Sequence, residues 1–200
     1  MKLGLGLYRH QLDRDHFAFA RQCGCTHLVV HLVDYFKSAP RNQPGDQPVG
    51  DDAGWGLAGD PNQLWTYAEL AALKREINAA GLELEAIENF DPAHWHDVLL
   101  DGPQKAAQLE NLKTLIRNLG QAGIPIMGYN FSLAGVGGRV KGPFARGGAE
   151  AVGMDGPCDQ PMPNGMVWNM IYDRHAPPGW VPSATPEQLW QRLQDFLDAL

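Results

Sequence analysis

Asn130 closes the hydrophobic run IPIMGYNF (124–131), and a glycine-rich stretch carrying Arg139, Lys141 and Arg146 follows it. Strand alternation puts Ile126, Gly128 and Asn130 on one face and Met127, Tyr129 and Phe131 on the other. An amide at a strand end can donate to and accept from a substrate hydroxyl or carboxylate; the competing role is a loop cap that bonds backbone groups. The planar fork of Arg139 suits a carboxylate, against the commoner fate of a solvated loop charge, which is how Lys141 and Arg146 read. Glu88, near the end of LELEAIENF (82–90), shares a face with Leu84 and Ala86 in simple alternation. A carboxylate facing an interior needs a partner or a ligand, so a substrate contact competes with a structural salt bridge. His27 and His31 share a strand face, but four residues at about 3.3 Å each hold them roughly 13 Å apart, too far to chelate one ion. His31 is the one placed to line a pocket, while His27 is structural. His94 and His96, just past the same strand as Glu88, are positioned to meet a substrate, and Tyr8 reads as packing. Cys23, Cys25 and Cys158 form neither a disulfide framework nor the paired knuckles of a zinc site.

The net charge of −7 over 200 residues argues against a nucleic-acid partner. A small anionic substrate stays compatible with it, because a few local arginines suffice. Hydrophobic residues make up 44% and charged residues 20%, the balance of a soluble globular domain. No apolar run approaches the roughly 20 residues of a membrane span. The opening MKLGLGLYRHQLD is too short and glycine-broken in its apolar part for a signal peptide. The expectation is a single cytoplasmic domain over 1–200.

Strands and helices alternate. KLGLGLY (2–8) reads as a strand, and DRDHFAFARQCG (13–24) as a helix capped by Asp13. THLVVHL (26–32) reads as a buried strand. TYAELAALKREINAAG (66–81) has capping-box spacing between Thr66 and Glu69 and a terminating Gly81. Strand 82–90 precedes helix 104–123, whose apolar stripe is Leu109, Leu112, Ile116 and Leu119. Strand 124–131 follows. The helix 185–200 has Thr185 as N-cap, Pro186 in its first turn and Gln188 in the box position. This order predicts a parallel α/β sheet with right-handed crossovers. Two long loops, 33–65 and 132–184, follow strands and so lie at the C-terminal end of the sheet, where such folds place their sites. The second contains ten glycines and seven prolines, with MVWNMIY (166–172) as the one expected strand.

ENLKTLIRNLGQAGIPIMGYNF (110–131) resembles the mannonate dehydratase family, in which a helix of this pattern leads into a strand ending in YNF with an arginine in the next loop. LWTYAELAALKREINAAGL (64–82), AIENF (86–90) and MKLGLGLY (1–8) resemble neighbouring segments of the same family, in the same order. The loop after YNF departs from the family pattern except at Arg139. The resemblance implies a parallel (β/α)8 TIM-type barrel of which these residues supply about the first four βα units. It implies a lyase that removes water from a sugar acid, D-mannonate, to give 2-keto-3-deoxy-D-gluconate in hexuronate catabolism. It also implies a divalent metal, Mn2+ or Fe2+, whose ligands and catalytic base are expected beyond Leu200; a homo-oligomer is a separate expectation. Asn130 and Arg139 are then substrate-positioning residues, joined by Glu88, His31 and His94, the last near a histidine of the family. A metal-dependent sugar isomerase or epimerase on the same barrel is the alternative among enzymes; a non-catalytic half-barrel binding module is the alternative outside them.

Overall fold

Asp13 starts the first helix by accepting from the backbone N–H groups of Asp15 and His16, two donors that the helix itself cannot satisfy. In the computed structural model, which describes residues 1–35, 56–134, 139–156 and 161–200, this helix, α1 (Arg14–Gln22), joins strand β1 (Gly4–Leu7) to β2 (His27–Val30). A two-residue strand, β3 (Gly56–Leu57), lies in the first long loop. The Thr66–Glu69 capping box then opens α2 (Tyr67–Ala79), which leads into β4 (Glu83–Glu88). A short helix α3 (His96–Leu100) and a long one, α4 (Lys105–Gln121), precede β5 (Ile126–Gly128). The second long loop contains β6 (Arg139–Gly142), β7 (Ala151–Met154), β8 (Met166–Val167) and β9 (Met170–Ile171), and α5 (Pro186–Ala199) ends the series.

The main sheet has the order β1-β2-β4-β5, and every neighbouring pair is parallel. One face is apolar. Leu7, Leu28, Val30, Leu84 and Ile87 pack there against Phe17 of α1, Leu70 and Ile77 of α2, and Leu119 of α4. Leu28 and Ile77 are completely buried, and each such side chain contributes about 1.5–3 kcal/mol relative to exposure. Among the described residues the sheet is open, with β1 and β5 at its edges. The fold is therefore α/β with a parallel sheet.

Simple alternation fails in β4. His27 pairs with Glu83 and Leu28 with Leu84, but Val29 pairs with Ala86. Glu85 is the extra residue of a bulge, which reverses the facing of everything after it. Leu84 and Ile87 thus both meet the helices, and Glu88 does not share a face with Leu84 as alternation predicts. The bulge is what turns Glu88 away from the core.

The expected strand 166–172 is a tight hairpin instead. β8 and β9 are antiparallel, and the turn residues Trp168 and Asn169 have φ of 51° and 57°, the positive pair that a type I′ turn requires. β6 and β7 form a second antiparallel pair, so Arg139 begins a strand where a loop was expected. β9 also pairs in parallel with β3, Gly56 with Met170, and joins the two long loops. Val33, Tyr35, Val167 and Met170 from these loops bury together with Leu99 of α3, Leu115 of α4 and Phe196 of α5 in a second core. Helix α3 has no periodic signal, because local side-chain bonds define it: Gln108 Oε1 accepts from the Asp97 backbone N–H, and Asp97 Oδ2 accepts from that of Gln104. Cys23 and Cys25 are free thiols, exposed and buried respectively; Cys158 lies outside the described residues. No described helix is long and apolar enough to cross a membrane.

Candidate active site

Parallel strands bring their C-terminal ends to one side of the sheet, and a cavity of about 480 Å³ lies there. Tyr8 follows β1, His31 follows β2, Glu88 ends β4 and Asn89 follows it, and Asn130 lies two residues beyond β5; all line the cavity. The long loops complete it with Tyr35, Ser132, Arg139 and Trp168. Four of the five residues expected to position substrate, His31, Glu88, Asn130 and Arg139, are thereby brought together.

His31 Nε2 lies 3.5 Å from Glu88 Oε2. The Tyr8 ring stacks on the imidazole at 4.7 Å, and Tyr35 meets it edge-on at 5.6 Å. Burial pushes the His31 pKa below the usual imidazole range, with the Glu88 carboxylate pulling the other way, so the ring is neutral near pH 7. Its Nδ1 is buried without a hydrogen-bond partner among the described residues. Tyr35 is almost fully buried, and burial raises its phenol well above the ordinary value. Asn89 Nδ2 donates to the Tyr35 hydroxyl oxygen at 2.8 Å, and Asn130 Nδ2 donates to Asn89 Oδ1 at 2.9 Å. The Asn89 backbone N–H donates to Gly128 O at 3.0 Å, tying β4 to β5 at the cavity floor. A guanidinium, amides, and a neutral imidazole beside a carboxylate together suit a small, hydroxylated anion.

His94 lies elsewhere. It is 3% exposed and lines a second cavity of about 270 Å³ with Arg9, Asp60 and Asp91. His96 faces another way, stacked on Tyr172 at 3.9 Å with Nδ1 2.8 Å from Pro92 O. His27 sits at the opposite end of β2, 3.6 Å from Glu85. Lys141 and Arg146 are exposed and do not line the main cavity. Asn89, Tyr35 and Trp168 carry no sequence signal for the site. Alternation would turn Asn89 away from Glu88, but its φ of 68° breaks alternation.

Burial depresses the pKa values of His31, His94 and His96, while Glu88, Asp91 and Asp97 respectively favour their charged forms. A histidine held neutral in the fold and free to protonate when unfolded contributes stability above its unfolded value of about 6.5. That contribution is lost as the pH falls below this value. Asp91, raised by burial, acts in the opposite sense and offsets its neighbour His94, so the expectation rests on His31 and His96. Melting temperature is expected to fall between about pH 7.5 and pH 5.5, and His96→Gln should flatten the slope. A wild-type melt unchanged over that range would contradict these buried neutral rings.

The family model described as D-mannonate dehydratase (UxuA) matches residues 16–141. Mannonate dehydratase of Streptococcus equi subsp. zooepidemicus is 44% identical over 69 residues, which are 34% of this chain and 18% of that protein. Mannonate dehydratase of Thermotoga maritima is 39% identical over 69 residues, 34% of this chain and 19% of that one. The crystal structure of mannonate dehydratase from Streptococcus suis serotype 2 superposes with a TM-score of 0.60 at 22% identity, covering 100% of this chain and 49% of that one. The likeness to that structure is one of fold, and the chain spans about half its length.

Proposed function

The chain belongs to the D-mannonate dehydratase family, and on that premise we propose that it forms part of a lyase that removes water from D-mannonate to give 2-keto-3-deoxy-D-gluconate. The observation that carries this reading is the meeting of Arg139, Asn130, His31 and Glu88 in one cavity at the C-terminal end of a parallel sheet. We take the sheet as the first four βα units of a (β/α)8 barrel. Its sequential, all-parallel strand order and its helices on one face support this. So do the exposed Gly4, Gly6 and Ile126 on the opposite face, which a closed barrel would fill.

Dehydration takes a proton from C2 and the hydroxyl from C3; the enol that remains tautomerises to the 2-keto acid. Arg139 would hold the carboxylate, because its fork matches two oxygens at once. Asn130 would meet a substrate hydroxyl, and the His31–Glu88 pair would border the sugar chain with a neutral proton acceptor beside an anion. The divalent metal that the family resemblance implies does not fit the described residues. No group of three or more His, Cys, Asp or Glu side chains among them is placed to hold one, and His94 and His96 face apart. The role of the cavity residues is to bind and orient, and the metal would be held by residues outside those described.

The test is an assay of the intact protein with D-mannonate, following the 2-keto acid, with Mn2+ or Fe2+ supplied. Product formation that a chelator abolishes is the expected result. Inertness toward sugar acids with turnover of a neutral sugar would replace the dehydratase reading by an isomerase one.

A further inference from the structure

Asn89 is 5% exposed and left-handed, with φ of 68°. That conformation is costly for a residue with a side chain, though asparagine tolerates it better than most, and glycine occupies it without strain. The backbone alone would therefore be served by glycine. What glycine lacks is the carboxamide, and both of its ends are engaged. Nδ2 donates to the Tyr35 hydroxyl oxygen at 2.8 Å, and Oδ1 accepts from Asn130 Nδ2 at 2.9 Å. With its nitrogen committed to the phenol, Asn89 presents oxygen to Asn130. Asn130 in turn directs one N–H inward to Asn89, which holds its plane and leaves its own Oδ1, beside the second N–H, open to a ligand in the cavity that it lines.

We propose that Asn89 is a positioning residue for the sugar-acid site, acting through Asn130: it fixes the Asn130 carboxamide so that Oδ1 accepts from a substrate hydroxyl, leaving the carboxylate to Arg139. This rests on the function proposed above and deepens it by assigning a polarity to each end of the site. An acceptor aimed at a hydroxyl rewards a polyol chain. A carboxamide free to rotate would read either a hydroxyl or a carboxylate and would distinguish them poorly.

The experiment uses the intact protein and the variants Asn89→Gly, Asn130→Ala and their combination. Asn89→Gly keeps a backbone suited to φ near 68°, so the fold should survive, with the melting temperature lowered only by the loss of the two side-chain hydrogen bonds. Its KM for D-mannonate should rise about tenfold, with kcat changing less. In the Asn130→Ala background the same substitution should cost almost nothing further, because its route to the substrate is gone. Losses that simply add in the double variant would overturn the proposal. A second readout needs no turnover. With asparagine-selective 15N labelling, the Asn130 side-chain NH2 should exchange slowly with solvent in the wild type and fast in Asn89→Gly. Equal exchange in both would overturn the positioning role even in an active enzyme. Absence of turnover on D-mannonate would instead remove the functional reading, with the exchange measurement still deciding whether Asn89 holds Asn130.

Discussion

Replacing Asn130 by alanine in the intact protein is expected to lower kcat/KM on D-mannonate by one to two decades, a loss of roughly 1–3 kcal/mol. Arg139→Lys should lower it as well, although the charge is kept, because an ammonium cannot reproduce a two-pronged contact with a carboxylate. Both side chains line the cavity and neither belongs to a core, so the melting temperature should fall by no more than the Asn130–Asn89 hydrogen bond accounts for. Steady-state kinetics beside a thermal melt for each variant separates the possibilities. Unchanged kinetics in both would refute the assignment. A collapse in melting temperature with a matching loss of active protein would make Asn130 a structural cap of the β5 end.

The largest stability effect is expected at Phe196. Its ring is 2% exposed and lies 5.1 Å from Phe131 and 5.4 Å from Tyr129, so one side chain docks α5 onto the chain that flanks Asn130. Phe196→Ala should cost about 3–5 kcal/mol, the transfer of the ring plus the cavity left behind. Trp190, on the same helix but 70% exposed, should cost less than about 0.5 kcal/mol when made alanine. Urea denaturation of the two variants gives the contrast directly. Equal midpoints would mean that α5 does not rest on Phe131 and Tyr129.

The elements that announce themselves in the sequence carry their signals within a few residues. Thr66 with Glu69, Thr185 with Gln188, and Asp13 are caps in fact as in expectation. Leu70 with Ile77, and Leu112 with Leu119, are buried as their spacing requires. His31, Glu88, Asn130 and Arg139 could be singled out because each sits at or beyond a strand end, with the family resemblance adding weight to Asn130 and Arg139. What could not be read is whatever a distant partner decides. The Glu85 bulge exists only relative to β2, and it alone accounts for the true facing of Glu88. Tyr35 and Trp168 reach the cavity because β3 and β9, two residues each, find one another; strands so short have no periodicity to detect. His94 failed as a member of this cavity for a local reason. The 3-10 turn Pro92–His94, capped by Asp91, carries it toward the second cavity.

The pairing of Gly56 with Met170 also orders events in time. β1 and β2 are joined through a single helix, but more than half of the chain lies between β3 and β9. Closing so long a loop has an entropic cost that must be met before the contact returns anything. The sheet and its helices can therefore consolidate first, leaving the cavity walls that carry Tyr35 and Trp168 to assemble onto a finished floor. Interactions that form this late act on the rate of unfolding more than on the rate of folding. A ligand gripped by those walls would then work as a kinetic clasp, slowing the opening of the part of the molecule that closed last.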